Sequence, residues 1–263
     1  MRSSAVRRLG LAASATTLAL LTTACGGSSD EGDKGADTKA DASASASAAP
    51  AAEALSAADL EKAALAQGDV EGGEVDTEID GSEDDVTADQ VEAEDAACAS
   101  LALVAAGAAQ GEPAAEVKRM WTEEAEEPSD ADAMSEDAML ASLDVEKVFL
   151  TLATYEDGGA EKVVADTEAA LEKCAGGFTY TAAGEKTEIT KVAPTEAPAG
   201  ADEAVAMNLT MTAEGEEMPF KAVVARKGAT VVAVGAMNLA SAVTGEDFEF
   251  PTAVLDTQLR KLG

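Results

Sequence analysis

The chain has 263 residues, of which 18 are Lys or Arg and 51 are Asp or Glu, so its formal net charge is −33. A polyanion of this size excludes binding to nucleic-acid phosphates or to an anionic lipid surface. The absence of histidine excludes Ser-His-Asp, Cys-His and histidine–zinc chemistry, and three cysteines are too few for an all-thiolate zinc site. We therefore expect no cofactor, no metal site, no catalytic residue and no nucleic-acid partner.

The first 24 residues have the pattern of an export signal. Arg2, Arg7 and Arg8 form a positive start, and residues 9–24 are an uncharged run too short to span a membrane. The run ends in Leu-Thr-Thr-Ala before Cys25 and resembles a bacterial lipobox, whose cysteine receives a diacylglycerol before cleavage. We expect a lipoprotein with a lipid-anchored Cys25 on the outer face of the cell membrane. The alternative is an ordinary secretory peptide with an idle thiol, and the export route, Sec or twin-arginine, stays open.

Residues 25–54 form a linker between this signal and the folded part of the chain. From residue 26 to 52 the linker consists mainly of Gly, Ser, Ala and Asp with a few Lys, and it contains no Leu, Ile, Val or aromatic residue. Such a segment buries too little apolar area to offset the entropy of ordering. It is therefore predicted to be a disordered tether with a reach of roughly 30 Å. The folded domain is predicted to span residues 55–263.

Four helices are predicted in the first half of this domain. Ser56 is typical of an N-cap, and Gly68 is the expected stop of the first helix. Apolar residues at helical spacing predict the next two, and the fourth is a weak pattern. The last three cover residues 88–107, the segment after Pro113 with Val117, Met120 and Trp121 on its apolar side, and residues 134–143. Trp121 is interpreted as a core anchor.

An acidic segment follows the first of these helices and overlaps the start of the second. Residues 69–95 contain 13 Asp or Glu and no Lys or Arg, which is typical of a solvated surface segment. Asp76 begins a pattern that resembles the first half of an EF-hand calcium loop. Glu83 stands where an apolar residue is expected, and Thr87 stands where the loop needs its bidentate glutamate. A solvated segment is therefore the favoured interpretation and calcium the alternative.

After Asp144 the pattern changes from helical to alternating. Strands are predicted at 148–155, 178–182, 187–192, 204–212, 218–225 and 230–237, and helices at 160–174 and 251–262. Strands that follow one another through short turns favour antiparallel pairing. The predicted class is therefore α+β: one domain with an antiparallel sheet and helices packed on one face.

Several of these segments also resemble a known family. Three segments are similar to the PknH-like extracellular sensor domain. They are Cys98-Ala-Ser-Leu on a helix, a helix that ends at Cys174-Ala-Gly-Gly-Phe, and the strand from Thr230 before a terminal helix. That domain occurs in actinobacterial lipoproteins and on the outer part of some Ser/Thr kinases. The resemblance covers roughly residues 55–262, and it implies a groove over an antiparallel sheet that binds a ligand.

Cys98 and Cys174 are expected to form a disulfide. With Cys25 lipidated, these two thiols remain in an oxidising compartment, where an even pair is normally bridged. Both lie on the apolar stripes of predicted helices, so both are expected to face one core.

The remaining candidates for a binding site are polar residues on apolar strands. Asn208, Thr210 and Asn238 are candidate groove residues, although strand-end or solvent-facing positions are the favoured interpretation. Arg226 and Lys227 beside a glycine are interpreted as a hairpin tip. The functional hypothesis is a non-enzymatic ligand-binding or sensor module with an unknown small ligand or protein partner. A lipid or amphiphile carrier with an apolar cavity is the alternative.

Overall fold

The computed structural model describes residues 52–79, 85–125, 135–213 and 215–263. The chain divides into two units, 1–47 and 48–263, and every described residue belongs to the second. The predicted signal peptide, Cys25 and the tether as far as residue 51 lie outside the described residues.

Within the described residues the structure contains nine β-strands and six α-helices. The strands are β1 (Gly73–Asp76), β2 (Val91–Ala93), β3 (Ala115–Glu123), β4 (Glu146–Thr154), β5 (Phe178–Ala182), β6 (Glu185–Thr195), β7 (Glu203–Ala213), β8 (Glu216–Lys227) and β9 (Thr230–Asn238). The helices are α1 (Ala57–Ala63), α2 (Ala99–Ala105), α3 (Glu136–Ser142), α4 (Gly159–Lys173), α5 (Leu239–Thr244) and α6 (Thr252–Leu262).

All nine strands join one antiparallel sheet in the order β1-β3-β4-β9-β8-β7-β6-β5-β2. The hairpins β5–β6, β7–β8 and β8–β9 pair consecutive strands, as short turns require. After β4 the chain passes through α4 to β5, which is separated from β4 by four strands of the sheet, and returns strand by strand to β9, which pairs with β4 in the middle of the sheet. The predicted class, an α+β domain with an antiparallel sheet, is confirmed.

The helices pack on both faces of the sheet and not on one face as predicted. On the first face, here called the α4 face, α2 and α4 cover a core that includes Ala153, Ala222 and Val224. On the second, the α6 face, α1 and α6 cover a core that includes Val148 and Leu150. The central strands carry apolar side chains on both sides, so each side needs its own cover.

The helix predicted after Pro113 is wrong, because this segment forms β3. Val117 and Trp121 lie on the α6 face and Met120 on the opposite face, as strand alternation requires. Trp121 is 5% exposed, and its indole packs directly against Gly73 of β1, which confirms its role as a core anchor.

The single helix predicted at 88–107 is also wrong. The structure divides this segment into a 3₁₀ turn, β2, a second 3₁₀ turn and α2. The side chain of Asp95 accepts a hydrogen bond from the Ala97 N–H, so a new helical segment begins there. Ser56 caps α1 as predicted, but α1 ends at Ala63, before Gly68. β1 and α5 were not predicted.

Candidate functional site

A cavity of about 220 Å³ opens on the α4 face beside the C-terminal end of α2. Its floor is formed by β3, β4, β9, β8 and β7, and its second wall contains Ile79 and Val86. Six of the 17 residues that line it are Met or Phe, and we call the cavity the methionine groove. These side chains belong to Met120, Phe149, Met211, Met218, Phe220 and Met237.

Methionine is the most frequent residue type on the surface of the groove. Four of the eight methionines of the chain line the groove, and all four remain partly exposed. A thioether side chain has three rotatable bonds and a polarisable sulfur, so it adapts to apolar molecules of different shape. The groove therefore offers an adaptable apolar surface that the fold itself does not fill.

Gly235 of β9 allows the floor to take this shape. A Cβ atom at this position would lie 2.5 Å from Cζ of Phe220, closer than side-chain atoms approach one another. The missing side chain thus allows the Phe220 ring to lie across the strand. Replacement of Gly235 by a larger residue would displace the ring and change the floor.

The polar side chains at the groove are bound within the protein. The Lys118 ammonium donates to Asp85 Oδ1 at 2.9 Å and to the Val86 carbonyl at 2.6 Å. The Thr151 hydroxyl donates to the Gly107 carbonyl at 2.6 Å. Because these groups are satisfied within the protein, the groove presents a mainly apolar surface.

The predicted disulfide between Cys98 and Cys174 is present, with the two Cα atoms 5.9 Å apart. Both residues are buried. Cys98 precedes the first residue of α2 and Cys174 is the C-cap of α4. The bridge therefore holds one end of α2, while the hydrogen bond from Thr151 to Gly107 holds the chain just past the other end.

The polar strand residues considered in the sequence do not line the methionine groove. Asn238 is buried at the end of β9, where its side chain accepts from the Ser241 N–H and donates to Asp144. Asn208 lies on the floor of a separate cavity on the α6 face. Thr210 is two residues further along β7, so its side chain lies on the same side of the strand as that of Asn208.

Arg226 and Lys227 lie at the β8–β9 hairpin, as predicted. The Arg226 guanidinium pairs with Glu203 at 2.7 Å and with Glu161 at 3.5 Å, and Lys227 donates to the Gly200 carbonyl. These contacts give the pair a structural role at the hairpin.

Asp76 begins the segment that resembles a calcium loop, and it is the last residue of β1. Its carboxylate accepts a hydrogen bond from the Glu78 N–H. Residues 80–84 of the loop lie outside the described residues. Among the residues that the structure describes, no group of three or more Cys, Asp or Glu is placed to hold a metal ion. In the same part of the chain, no helix is long and apolar enough to cross a membrane.

One carboxyl group on the α6 face has an unusual environment. Partial burial, followed by the negative charges of Glu123, Asp144 and Glu249, raises the pKa of Glu146 to about 7, although Lys221 opposes the shift. The Glu146 N–H also donates to Glu123 Oε2 at 3.1 Å. This carboxyl group therefore changes charge near neutral pH.

Sequence reasoning missed the groove because its residues belong to five strands. Met120 was assigned to the apolar side of a predicted helix. The available signal was the recurrence of methionine near the ends of β3, β7, β8 and β9, which antiparallel pairing brings to one end of the sheet.

The structure thus defines an α+β domain with an apolar groove over an antiparallel sheet. No protein-family model matches the chain, and no curated protein matches it in sequence. Among solved structures it is similar to the extracellular domain of PknH from Mycobacterium tuberculosis, with a TM-score of 0.34 and 12% identity. That match covers 56% of this chain and 61% of that domain. A TM-score at this level assigns no family, so membership of the PknH-like family stays a prediction.

Proposed function

We propose that this chain is a non-enzymatic binding module, displayed on the outer face of the membrane through Cys25, whose ligand site is the methionine groove. The observation that supports it is an open apolar cavity whose polar neighbours are already satisfied. A cavity with unfilled apolar walls and few free polar groups is the usual form of a small-ligand site.

The size of the groove limits the ligand. An apolar cavity of roughly 150 Å³ accepts a benzene ring, whereas sites for drug-sized molecules begin at about 300 Å³. At about 220 Å³ the groove suits a single ring or a short alkyl chain. This favours a binding or sensor module over a carrier of whole lipids, which needs a larger enclosed space.

Methyl NMR on the methionines provides a direct test. The full-length chain labelled at the methionine methyl groups is titrated with benzene and, separately, with 1-hexanol. The signals of Met120, Met211, Met218 and Met237 should shift, while that of Met139, which is 61% exposed on α3, should not. Absence of shifts at the groove, or equal shifts at Met139, would contradict the proposal.

A pair of variants sharpens this test. Met218→Gln introduces an amide at the groove, and we expect it to weaken binding of either probe about tenfold or more, because the amide must lose water. Met139→Gln makes the same change at an exposed position and should leave binding unchanged. If the two variants bind equally, the ligand site lies elsewhere. Acyl chains that co-purify with the natively extracted protein would instead support the carrier alternative.

The anchor has its own test. Intact-mass analysis of the membrane fraction should show loss of residues 1–24 and gain of a diacylglycerol. Cys25→Ser should lose both the lipid and membrane retention, whereas Ser28→Ala, a change in the same segment, should keep both. If the Cys25→Ser protein stays in the membrane fraction, the lipid anchor at Cys25 is wrong.

A further inference from the structure

A second cavity, of about 400 Å³, lies on the α6 face, on the opposite side of the sheet from the methionine groove. Its floor is formed by the end of β6 and by β7 and β8, and one wall is the chain that leads into α6. It is lined by a mixture of charged, polar and apolar side chains, and two of the charged ones are carboxylates, which the groove lacks. The polar ones are Thr195, Glu196, Asn208, Lys221, Glu249 and Thr252.

Lys221 is the central feature of this cavity. Its side chain is only 12% exposed, and its ammonium lies 5.1 Å from the centre of the Phe248 ring. Its ion-pair partner at 3.0 Å is Asp247, whose side chain is 75% exposed. An ion pair with so exposed a carboxylate contributes little free energy, so a bound anion can compete with Asp247 for the ammonium.

Asn208 adds a hydrogen-bonding group beside this ammonium. In the antiparallel register of β7 and β8, Asn208 lies directly opposite Lys221, and both residues line the cavity. An amide and an ammonium at neighbouring positions provide several N–H donors, which suits a carboxylate group.

The opposite charge is also present. Glu196 and Glu249 line the same cavity, and both are exposed. A ligand with a single negative charge would meet Lys221 favourably and these carboxylates unfavourably. A ligand that carries both charges satisfies both sides, and the walls at Phe250 and Val223 supply apolar area for a side chain.

We propose that this cavity binds a free α-amino acid with an apolar side chain. The ligand carboxylate pairs with Lys221 and Asn208, the ligand ammonium lies toward Glu249 and Glu196, and the side chain packs against Phe250. This site is separate from the methionine groove and does not depend on the function proposed for it.

Isothermal titration calorimetry of the full-length chain tests the proposal with three probes of similar shape. L-leucine carries both charges, L-leucinamide lacks the carboxylate, and 4-methylpentanoate lacks the ammonium. We expect saturable binding of leucine and at least tenfold weaker binding of each of the other two. Absence of leucine binding at millimolar concentration, or equal binding of the three probes, would overturn the proposal.

Two lysine variants assign the site. Lys221→Met should weaken leucine binding at least tenfold, because the carboxylate loses its counter-charge. Lys147→Met is the matched control, since Lys147 also lies over a phenylalanine ring, at 5.9 Å from the centre of Phe149, but does not line this cavity. Equal leucine binding by the two variants would place the site elsewhere.

A third variant keeps the test decisive if Lys221→Met lowers stability. Glu249 is exposed, so Glu249→Gln should melt no lower than the unchanged chain, since the change also removes a negative charge near Glu146. It should weaken leucine binding several-fold and leave 4-methylpentanoate no weaker than before. If it reduces the binding of both probes equally, the ligand ammonium does not face Glu249 and the proposed orientation is wrong.

Discussion

The two faces of the sheet are closed in different ways. On the α4 face, a disulfide joins the start of α2 to the end of α4, and an apolar groove stays open beside α2. On the α6 face, helices from the two ends of the domain are joined by buried polar side chains. A covalent link stabilises the fold without filling space around it. We infer that the disulfide fixes α2, which forms one wall of the groove, without occupying the open space beside it.

Gln258 of α6 is the main polar link on the α6 face, and it is completely buried. Its side-chain oxygen accepts from the Leu65 N–H at 2.9 Å, and its amide donates to the Ala63 carbonyl at 2.8 Å. Arg119 of β3 donates to the Leu65 carbonyl at 2.9 Å. The backbone that follows α1 is thus satisfied by two side chains from distant elements, as burial requires.

Loss of the disulfide should have the largest effect on stability. The bridge joins residues 76 positions apart, and the chain-entropy model gives about 4–5 kcal/mol for a loop of this length, as an upper value. Replacement of Cys98 and Cys174 by Ser should therefore lower the unfolding midpoint by roughly 10 °C in a calorimetric or dichroism melt.

The double variant also supplies the control. A reducing agent should destabilise the unchanged chain to the level of the variant and should have no effect on the variant itself. The loss should be larger at low salt, where the repulsion of the acidic surface is least screened. A chain that melts at the same temperature with and without reductant would show that the bridge does not stabilise the fold.

Variants of the two buried glutamines, Gln258 and Gln110, compare how much a buried polar link stabilises each face. Gln258→Leu on the α6 face leaves the Leu65 N–H and the Ala63 carbonyl without their partners in a buried site, which should cost about 2–4 kcal/mol. Gln110→Leu on the α4 face removes only contacts with the Thr167 hydroxyl, which also donates to Val163, so it should cost about 1 kcal/mol.

Urea unfolding of both variants measures this difference. The midpoints should decrease with little change in the dependence on denaturant. If Gln110→Leu costs as much as Gln258→Leu, buried polar links hold the two faces equally, and the contrast drawn between them fails.

The sequence predicted the second half of the domain well because each element there has one dominant period. β5 and β7 alternate, β8 and β9 contain nearly continuous apolar runs, and α4 and α6 carry a single apolar stripe. These segments form the centre and one side of the sheet, where burial on two faces decides the residue types.

The first half was less predictable for reasons visible in β3. This strand places Arg119 on a buried face, where its guanidinium binds the backbone that follows α1. A buried arginine conceals the alternation that identifies a strand, and Val117, Met120 and Trp121 then match helical spacing by coincidence. Its partner Leu65 lies 54 residues away, so nothing local in the sequence signals this contact.

The cavities show the same limit. The methionine groove depends on β3, whose structure was predicted incorrectly, and on the pairing of strands distant in the chain. Asn208 was recognised as a polar residue on an apolar strand. Its position opposite Lys221 follows from the β7–β8 register, which turn length alone did not define. The disulfide was predictable because it depended only on the number of cysteines and on the compartment.

The last expected effect is smaller than those of the disulfide and of Gln258, and it concerns pH and the α6 face. The pKa of Glu146 is raised to about 7 in the folded chain, from an ordinary value of 4.5. Between these two values the folded chain binds more protons than the unfolded chain, so the free energy of unfolding decreases as the pH rises. The stabilisation from the protonated carboxyl group is fully present below about pH 4.5 and lost as the pH rises through about 7.

Glu146→Gln should remove this dependence, because an amide keeps the neutral form at every pH. Above pH 7 the variant should be more stable than the unchanged chain by about 1–2 kcal/mol, a value reduced for the partial exposure of the group. At pH 4.5 the two should be equally stable. Glu172→Gln on the exposed side of α4 is the control and should follow the unchanged chain. Urea unfolding between pH 4.5 and 8 measures the difference, and parallel curves for Glu146→Gln and the unchanged chain would show that Glu146 titrates alike in both states. We expect the stability of the disulfide-linked α2–α4 contact on the α4 face to be independent of pH. Parallel curves would mean that the stability of the α6 face is independent of pH as well.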